Sequence, residues 1–201
     1  MSRVHSRQAE DSLGLINRTL AGHTEALRAL SNRDMERRRR LRPDVDRVQL
    51  QRQATLVRFV SIAEAFVVER LTDRVGSWAD GTSEHVQGMW SSEVIKAIAT
   101  WEKLKEQYKQ WLNVNDSALW RPMIGLTQVR NAVAHGLGVL TKMQLQPRSY
   151  QRTIGMLREI GISPDTDHRI VLSDEDIRNA ARICREFVAA LDMQTLAAAG
   201  D

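Results

Sequence analysis

Cysteine, proline and long apolar runs are scarce in this chain of 201 residues. Its single cysteine, Cys184, excludes an intramolecular disulfide and a metal site built from cysteines, and it leads us to expect a reducing compartment, the cytoplasm. No run approaches the roughly 20 apolar residues that a membrane span needs. The first residues lack the apolar stretch of a signal peptide, so we expect no membrane partner.

Only four prolines and eleven glycines interrupt the sequence, which favours long helices and an all-α fold. Apolar residues at helical spacing predict one helix between residues 13 and 30 and another from 44 to about 75. Pro43 separates the two, because a proline disfavours helical geometry at the residue before it. We therefore predict an arginine-rich helical extension over residues 1–43 and a helical domain over residues 44–201.

The rest of the chain is predicted to add four helices, at about residues 92 to 113, 116 to 135, 149 to 159 and 173 to 198. Residues 76–88 are expected to form a loop. Gly136 is expected to supply the left-handed stop of the helix that ends at His135. Residues 169–172 are the one strand-like piece, so at most a minor strand should accompany the helices.

Positive charge is concentrated near the N-terminus. The chain has 29 Lys and Arg against 25 Asp and Glu, a formal charge of +4, and residues 1–52 hold 12 of the arginines against seven acids. The densest cluster consists of Arg37, Arg38, Arg39 and Arg40. These side chains could neutralise RNA phosphates or contact an acidic partner, or they could form a solvated helix end.

The strongest local signal for chemistry is formed by Arg130, Asn131 and His135, at the C-terminal end of a predicted helix. At about 100° per residue, Asn131 and His135 share a polar face with Thr127 and Gln128, and Arg130 lies at its border. The packing face should contain Leu126, Val129, Val133 and Leu137. A guanidinium pairs with phosphate oxygens and an imidazole exchanges protons near neutral pH, so the set suits phosphodiester cleavage. A helix-capping histidine beside a structural ion pair would give the same spacing.

The segment Arg-Asn-Ala-Val-Ala-His resembles the signature of the HEPN domain, which is an Arg, a polar residue, three further positions and a His. With Gly136 after it, the segment is similar to the version found in the RiboL-PSP-HEPN branch. The apolar helix containing Ser-Ile-Ala-Glu-Ala-Phe-Val resembles the helix that packs beside the motif helix in that branch, and residues 161–173 resemble its C-terminal part.

The resemblance implies a helical bundle, usually a homodimer whose motif helices face each other, and a metal-independent endoribonuclease. Arg130 would bind the scissile phosphate, His135 would assist proton transfer, and Asn131 would orient His135 or the phosphate. The ribose 2′-hydroxyl would be the nucleophile, so neither a metal nor another cofactor is expected. The resemblance also implies a toxin–antitoxin or antiviral role, with RNA as substrate and an antitoxin or defence protein as partner.

Some members of the HEPN superfamily only bind or scaffold, which leaves a second hypothesis open. In this alternative the chain is a non-catalytic HEPN-like module that binds nucleic acid or protein. The motif helix would then only build the dimer, and the N-terminal arginines would make the contacts.

Glu64 is the second candidate residue, because it lies in a stretch that is otherwise apolar apart from Ser61. A buried carboxylate is costly without a partner. Arg130 is one candidate partner, and such a pair would help to position the guanidinium. Alternatively, Glu64 reaches solvent or pairs with Arg58 or Arg70.

Overall fold

The computed structural model describes residues 5–37 and 46–198. This part of the chain contains no β-strand, which confirms the all-α prediction. Its seven α-helices are α1 (Arg7–Arg37), α2 (Arg47–Val75), α3 (Glu84–Ala97), α4 (Trp101–Leu112), α5 (Ser117–Gly136), α6 (Pro147–Glu159) and α7 (Asp174–Ala197), with a short 3-10 helix at Gly76–Ala79 after α2. In the same part of the chain, no helix combines the length and apolar character needed to cross a membrane.

Helix α2 lies at the centre of the bundle and packs against α1, α5 and α7. Its apolar side chains point to several sides, and those at 0% exposure include Leu56, Phe59, Val60, Ala63 and Val67. Removing this much apolar surface from water is the main favourable term in folding. Helix α1 contributes Ala9 and Ile16 to the same core, both at 0% exposure, so the predicted division at residue 43 falls between two helices that pack together.

Side-chain caps explain where most of the helices begin. Asp46, Thr100, Asp116 and Ser173 each accept a hydrogen bond from a backbone N–H in the first turn of α2, α4, α5 and α7. The Thr100 cap divides the segment that we predicted as one helix over residues 92–113. The predicted loop over residues 76–88 is also too long, because α3 already begins at Glu84.

The C-terminal end of α5 differs from the prediction in its stop residue. Gly136 is still helical, and the left-handed conformation falls on Leu137 (φ 52°) and Gly138 (φ 89°). Leu137 is 85% exposed instead of packing, because this turn carries it off the helix. Beyond the turn, Val139 forms a single antiparallel bridge with Arg169, so the strand-like segment at residues 169–172 makes an isolated bridge and no strand.

Gly125 allows α5 and α6 to approach closely. A Cβ atom at this position would lie 2.9 Å from the backbone oxygen of Met156 and 3.2 Å from a side-chain carbon of Ile160. The absence of a side chain therefore sets the distance between the two helices, and these helices build the two sides of the candidate site described below.

A buried polar group joins the N-terminus of α1 to α2 and α7, and we call it the Asp192 cluster. The carboxylate of Asp192, at 0% exposure, accepts hydrogen bonds from the backbone N–H (2.8 Å) and the hydroxyl (2.6 Å) of Ser6. Arg70 forms an ion pair with it at 3.2 Å, and His5 Nδ1 lies at 3.4 Å. Burial of an ionised carboxylate is tolerated here because its oxygens are paired.

Candidate functional site

Asn131 and His135 lie on one wall of an open cleft of about 890 Å³ that we call the α5–α6 cleft. The other lining residues come mainly from α6 and from the loop between α5 and α6. His135 is exposed and Asn131 is half-buried. The structure therefore brings these two predicted residues together at a surface that a ligand can reach.

The α5–α6 cleft also contains three cationic side chains that the sequence reasoning did not select. Lys142 lies on the loop after α5, and Arg148 and Arg152 lie four residues apart on α6. Glu102 on α4 is the one carboxylate that lines the cleft within the described part of the chain. The spacing of the two arginines behind Pro147 is visible in the sequence, but the packing of α6 beside the motif helix is a tertiary feature and left no local signal.

Arg130 lies beside the cleft and contacts Asn131 and Glu64. Its Nη1 donates a hydrogen bond to Asn131 Oδ1 at 3.2 Å, and its Nη2 lies 3.5 Å from Glu64 Oε2. The two charged side chains are 30% and 35% exposed, so solvent screens the pair. Arg130 is not among the residues that line the cleft; it contacts the cleft through Asn131.

The contact between Glu64 and Arg130 decides among the partners considered for Glu64. Arg70 is instead paired with Asp192, and the Nε of Arg58 donates to the hydroxyl of Thr19. Glu64 therefore makes the contact that would position Arg130, although it is less buried than its apolar neighbours suggested.

Gln144 holds the loop after α5 against the motif helix. Its amide nitrogen donates to the backbone and side-chain oxygens of Gln128, and its amide oxygen accepts from the backbone and hydroxyl of Thr141. Thr127 does not share the open polar face with Asn131, because it is 7% exposed and its hydroxyl donates to the backbone oxygen of Met123. The open face of α5 is thus narrower than the helical spacing predicted.

The predicted arginine cluster near the N-terminus falls outside the part of the chain that the structure describes. Arg38, Arg39 and Arg40 lie outside the described residues, as does the side chain of Arg37. Within the described ranges, no group of three or more His, Cys, Asp or Glu side chains is placed to hold a metal ion.

Comparisons of the chain with protein-family models, with curated proteins and with solved structures found no match.

Proposed function

We propose that this protein is a metal-independent endoribonuclease of the HEPN type. The observation that carries the proposal is the arrangement around the α5–α6 cleft. An exposed imidazole and an amide face a cleft that holds three cations, and a guanidinium is hydrogen-bonded to that amide. A histidine beside several cations suits a reaction in which a proton moves and negative charge develops on phosphate.

The proposed reaction uses the ribose 2′-hydroxyl as nucleophile. Its oxygen attacks the adjacent phosphorus, the bond from phosphorus to the 5′ oxygen breaks, and the hydroxyl proton passes to solvent. His135, as imidazolium, donates a proton to the departing 5′ oxygen. Arg130 stabilises charge on the phosphate and Asn131 orients it, while Glu64 positions Arg130. The products are a 2′,3′-cyclic phosphate and a 5′-hydroxyl.

The test is incubation of the full chain with single-stranded RNA in the presence of a chelator. We expect cleavage by the unaltered protein and a loss of at least about a hundredfold in His135→Ala, since general acid catalysis contributes that much or more. Arg130→Ala should lose cleavage to a similar degree. His85→Ala removes an exposed histidine on α3 and is the matched control.

The chemistry of the product provides a second check. Fragments should end in a 2′,3′-cyclic phosphate, and DNA or RNA methylated on the 2′-oxygen should not be cut. Cleavage that survives in both His135→Ala and Arg130→Ala, with helical content unchanged by circular dichroism, would contradict the proposal.

A homodimer and a defensive role belong to the same proposal. Two copies would bring their motif helices together, and an antitoxin or defence protein would control the nuclease. The measurement is bacterial growth during expression of the chain alone, compared with expression of His135→Ala. Growth inhibition that depends on His135 supports the role, and equal inhibition by both proteins contradicts it.

One observation favours a second candidate, a non-catalytic module that binds nucleic acid. Arg130 is occupied by Glu64 and Asn131 and does not line the cleft. This candidate predicts salt-sensitive RNA binding without turnover. Full-length substrate recovered after prolonged incubation, together with measurable binding, would favour it over the nuclease.

A further inference from the structure

We infer that Arg148, Arg152 and Lys142 form a binding track for the phosphate backbone of single-stranded RNA in the α5–α6 cleft. The inference deepens the proposed function and rests on it for the identity of the ligand as RNA. It assigns electrostatic contacts with the phosphates to α6 and to the loop before it.

The three cations lie around the same cleft. At about 100° per residue, the residues of α6 that line the cleft occupy one face of the helix, and Arg148 and Arg152 lie on that face. Residues four apart on a helix have Cβ atoms about 5–6 Å apart, and the flexible arms of the two arginines can adjust this separation to neighbouring phosphates. His135 faces the same cleft, so a strand bound along α6 passes the proposed proton donor.

The three cations are open to solvent. Lys142, Arg148 and Arg152 are all exposed, and none lies within 4 Å of a carboxylate of the described residues. Elsewhere in the bundle, Arg52, Arg70, Arg121 and Arg182 are paired with acids. Three cations without ion-pair partners around one cleft repel one another, and a bound anion relieves this repulsion. The cleft therefore attracts anions.

Size and charge together identify the ligand as a flexible strand. A cleft of about 890 Å³ is comparable to pockets for small molecules, roughly 300–1,000 Å³, so it has room for a few nucleotides of a single strand. Cations distributed along a helix and a loop suit a chain of phosphates better than one compact anion. Contacts to phosphate are independent of base sequence and make single-strand binding strongly dependent on salt.

Glu102 makes the inference testable in both directions. Among the described residues it is the one acid that lines the cleft, and it is exposed. A phosphate backbone bound nearby is repelled by this carboxylate, so Glu102→Gln should tighten RNA binding. Damage to the fold weakens binding in general and cannot produce this gain.

The experiment is fluorescence anisotropy of the full chain with a labelled single-stranded RNA whose 2′-oxygens are methylated, which blocks cleavage. Arg148→Ala and Arg152→Ala should each weaken binding roughly three- to tenfold at low salt. Each should also reduce the slope of log affinity against log salt by about 0.7. Arg158→Ala is the matched control, because Arg158 is an exposed arginine of α6 that does not line the cleft.

The outcomes separate this inference from the proposed nuclease. Weaker binding in Arg148→Ala and Arg152→Ala, tighter binding in Glu102→Gln and no change in Arg158→Ala support the track, even if unmodified RNA is never cut. Cleavage of RNA with binding unaffected by the two cleft arginines overturns the track and leaves the nuclease standing. Absence of binding, or an equal loss in Arg158→Ala, also overturns it.

Discussion

The Asp192 cluster and the α5–α6 cleft both concentrate polar side chains, and they differ in how the charges are compensated. In the cluster, a carboxylate at 0% exposure is paired with Arg70 and Ser6, and the group joins three helices. In the cleft, three exposed cations face one acid and form no ion pairs within the described residues. Paired charge in the interior holds helices together, whereas unpaired charge at a surface is available to a ligand.

The largest expected loss of stability comes from removing the central carboxylate of the Asp192 cluster in Asp192→Ala. The substitution leaves the guanidinium of Arg70, a residue that is 7% exposed, without its partner. Loss of one member of a buried ion pair costs about 3–5 kcal/mol. Urea unfolding should report this loss, and Asp11→Ala, which removes an exposed acid of α1, should stay within about 0.5 kcal/mol of the unaltered chain. A small loss in Asp192→Ala would show that the cluster does not hold the helices together.

The next largest expected change in stability comes from the contact between α5 and α6 that shapes the cleft. Gly125→Ala places a Cβ 2.9 Å from the backbone of Met156, and relieving such a clash costs about 1–3 kcal/mol. Gly155→Ala on α6 meets no atom within 4 Å, so it should stabilise the helix by about 0.5–1 kcal/mol. Thermal unfolding of the two variants should therefore shift in opposite directions, and shifts of the same sign would contradict the close approach.

A pH dependence of stability should appear at the contact between α1 and α2. Burial lowers the pKa of His23, which is 4% exposed and hydrogen-bonded through Nδ1 to Thr55 Oγ1 at 3.0 Å. Below its ordinary pKa of about 6.5, the unfolded chain binds a proton at His23 that the folded chain resists. The neutral, buried His23 therefore contributes stability that is fully present above that pH. This stability is lost as the pH falls toward the lowered pKa of His23 in the folded chain.

Urea unfolding at about pH 5 and about pH 8 checks this dependence. The difference in unfolding free energy between the two pH values should be smaller in His23→Gln, which does not titrate, than in the unaltered chain. An unchanged difference would assign the pH dependence to other groups.

The smallest expected effect on stability lies at the cleft. Arg148→Ala and Arg152→Ala should change the unfolding free energy by no more than about 0.5 kcal/mol, because exposed substitutions away from paired charges usually do so little. The relief of repulsion between the cations favours a gain over a loss. A loss of more than about 1 kcal/mol in either variant would assign that arginine to the fold.

The sequence predicted the helices well, because their signals are local. The recurrence of apolar residues at helical spacing and the scarcity of proline and glycine are short-range features, and the structure confirms the all-α fold that they predict. The predicted break at Pro43 lies outside the described residues. The break at Thr100 was missed, since no glycine or proline marks it. The left-handed residue after α5 was misplaced by one position, because a leucine adopts the conformation that glycine usually supplies.

The site was predicted only as far as a single helix could show it. Asn131 and His135 were placed together from their spacing, whereas Arg130 was only one of the partners considered for Glu64, and the structure shows that contact. Arg148 and Arg152 join them through the packing of α6 at Gly125, and Lys142 joins them on the loop before α6; no periodicity reveals either placement. The HEPN resemblance and the catalytic roles remain predictions.

The lone cysteine of the chain has a practical consequence. Cys184 lies at 0% exposure on α7, its sulfur 3.8 Å from that of Met123 on α5, and burial raises its pKa to about 12. A thiol reagent can therefore reach it only when the helices packed around α7 open. The rate of alkylation of Cys184 thus measures transient opening of the native bundle. Mass spectrometry detects the modification in the absence of denaturant.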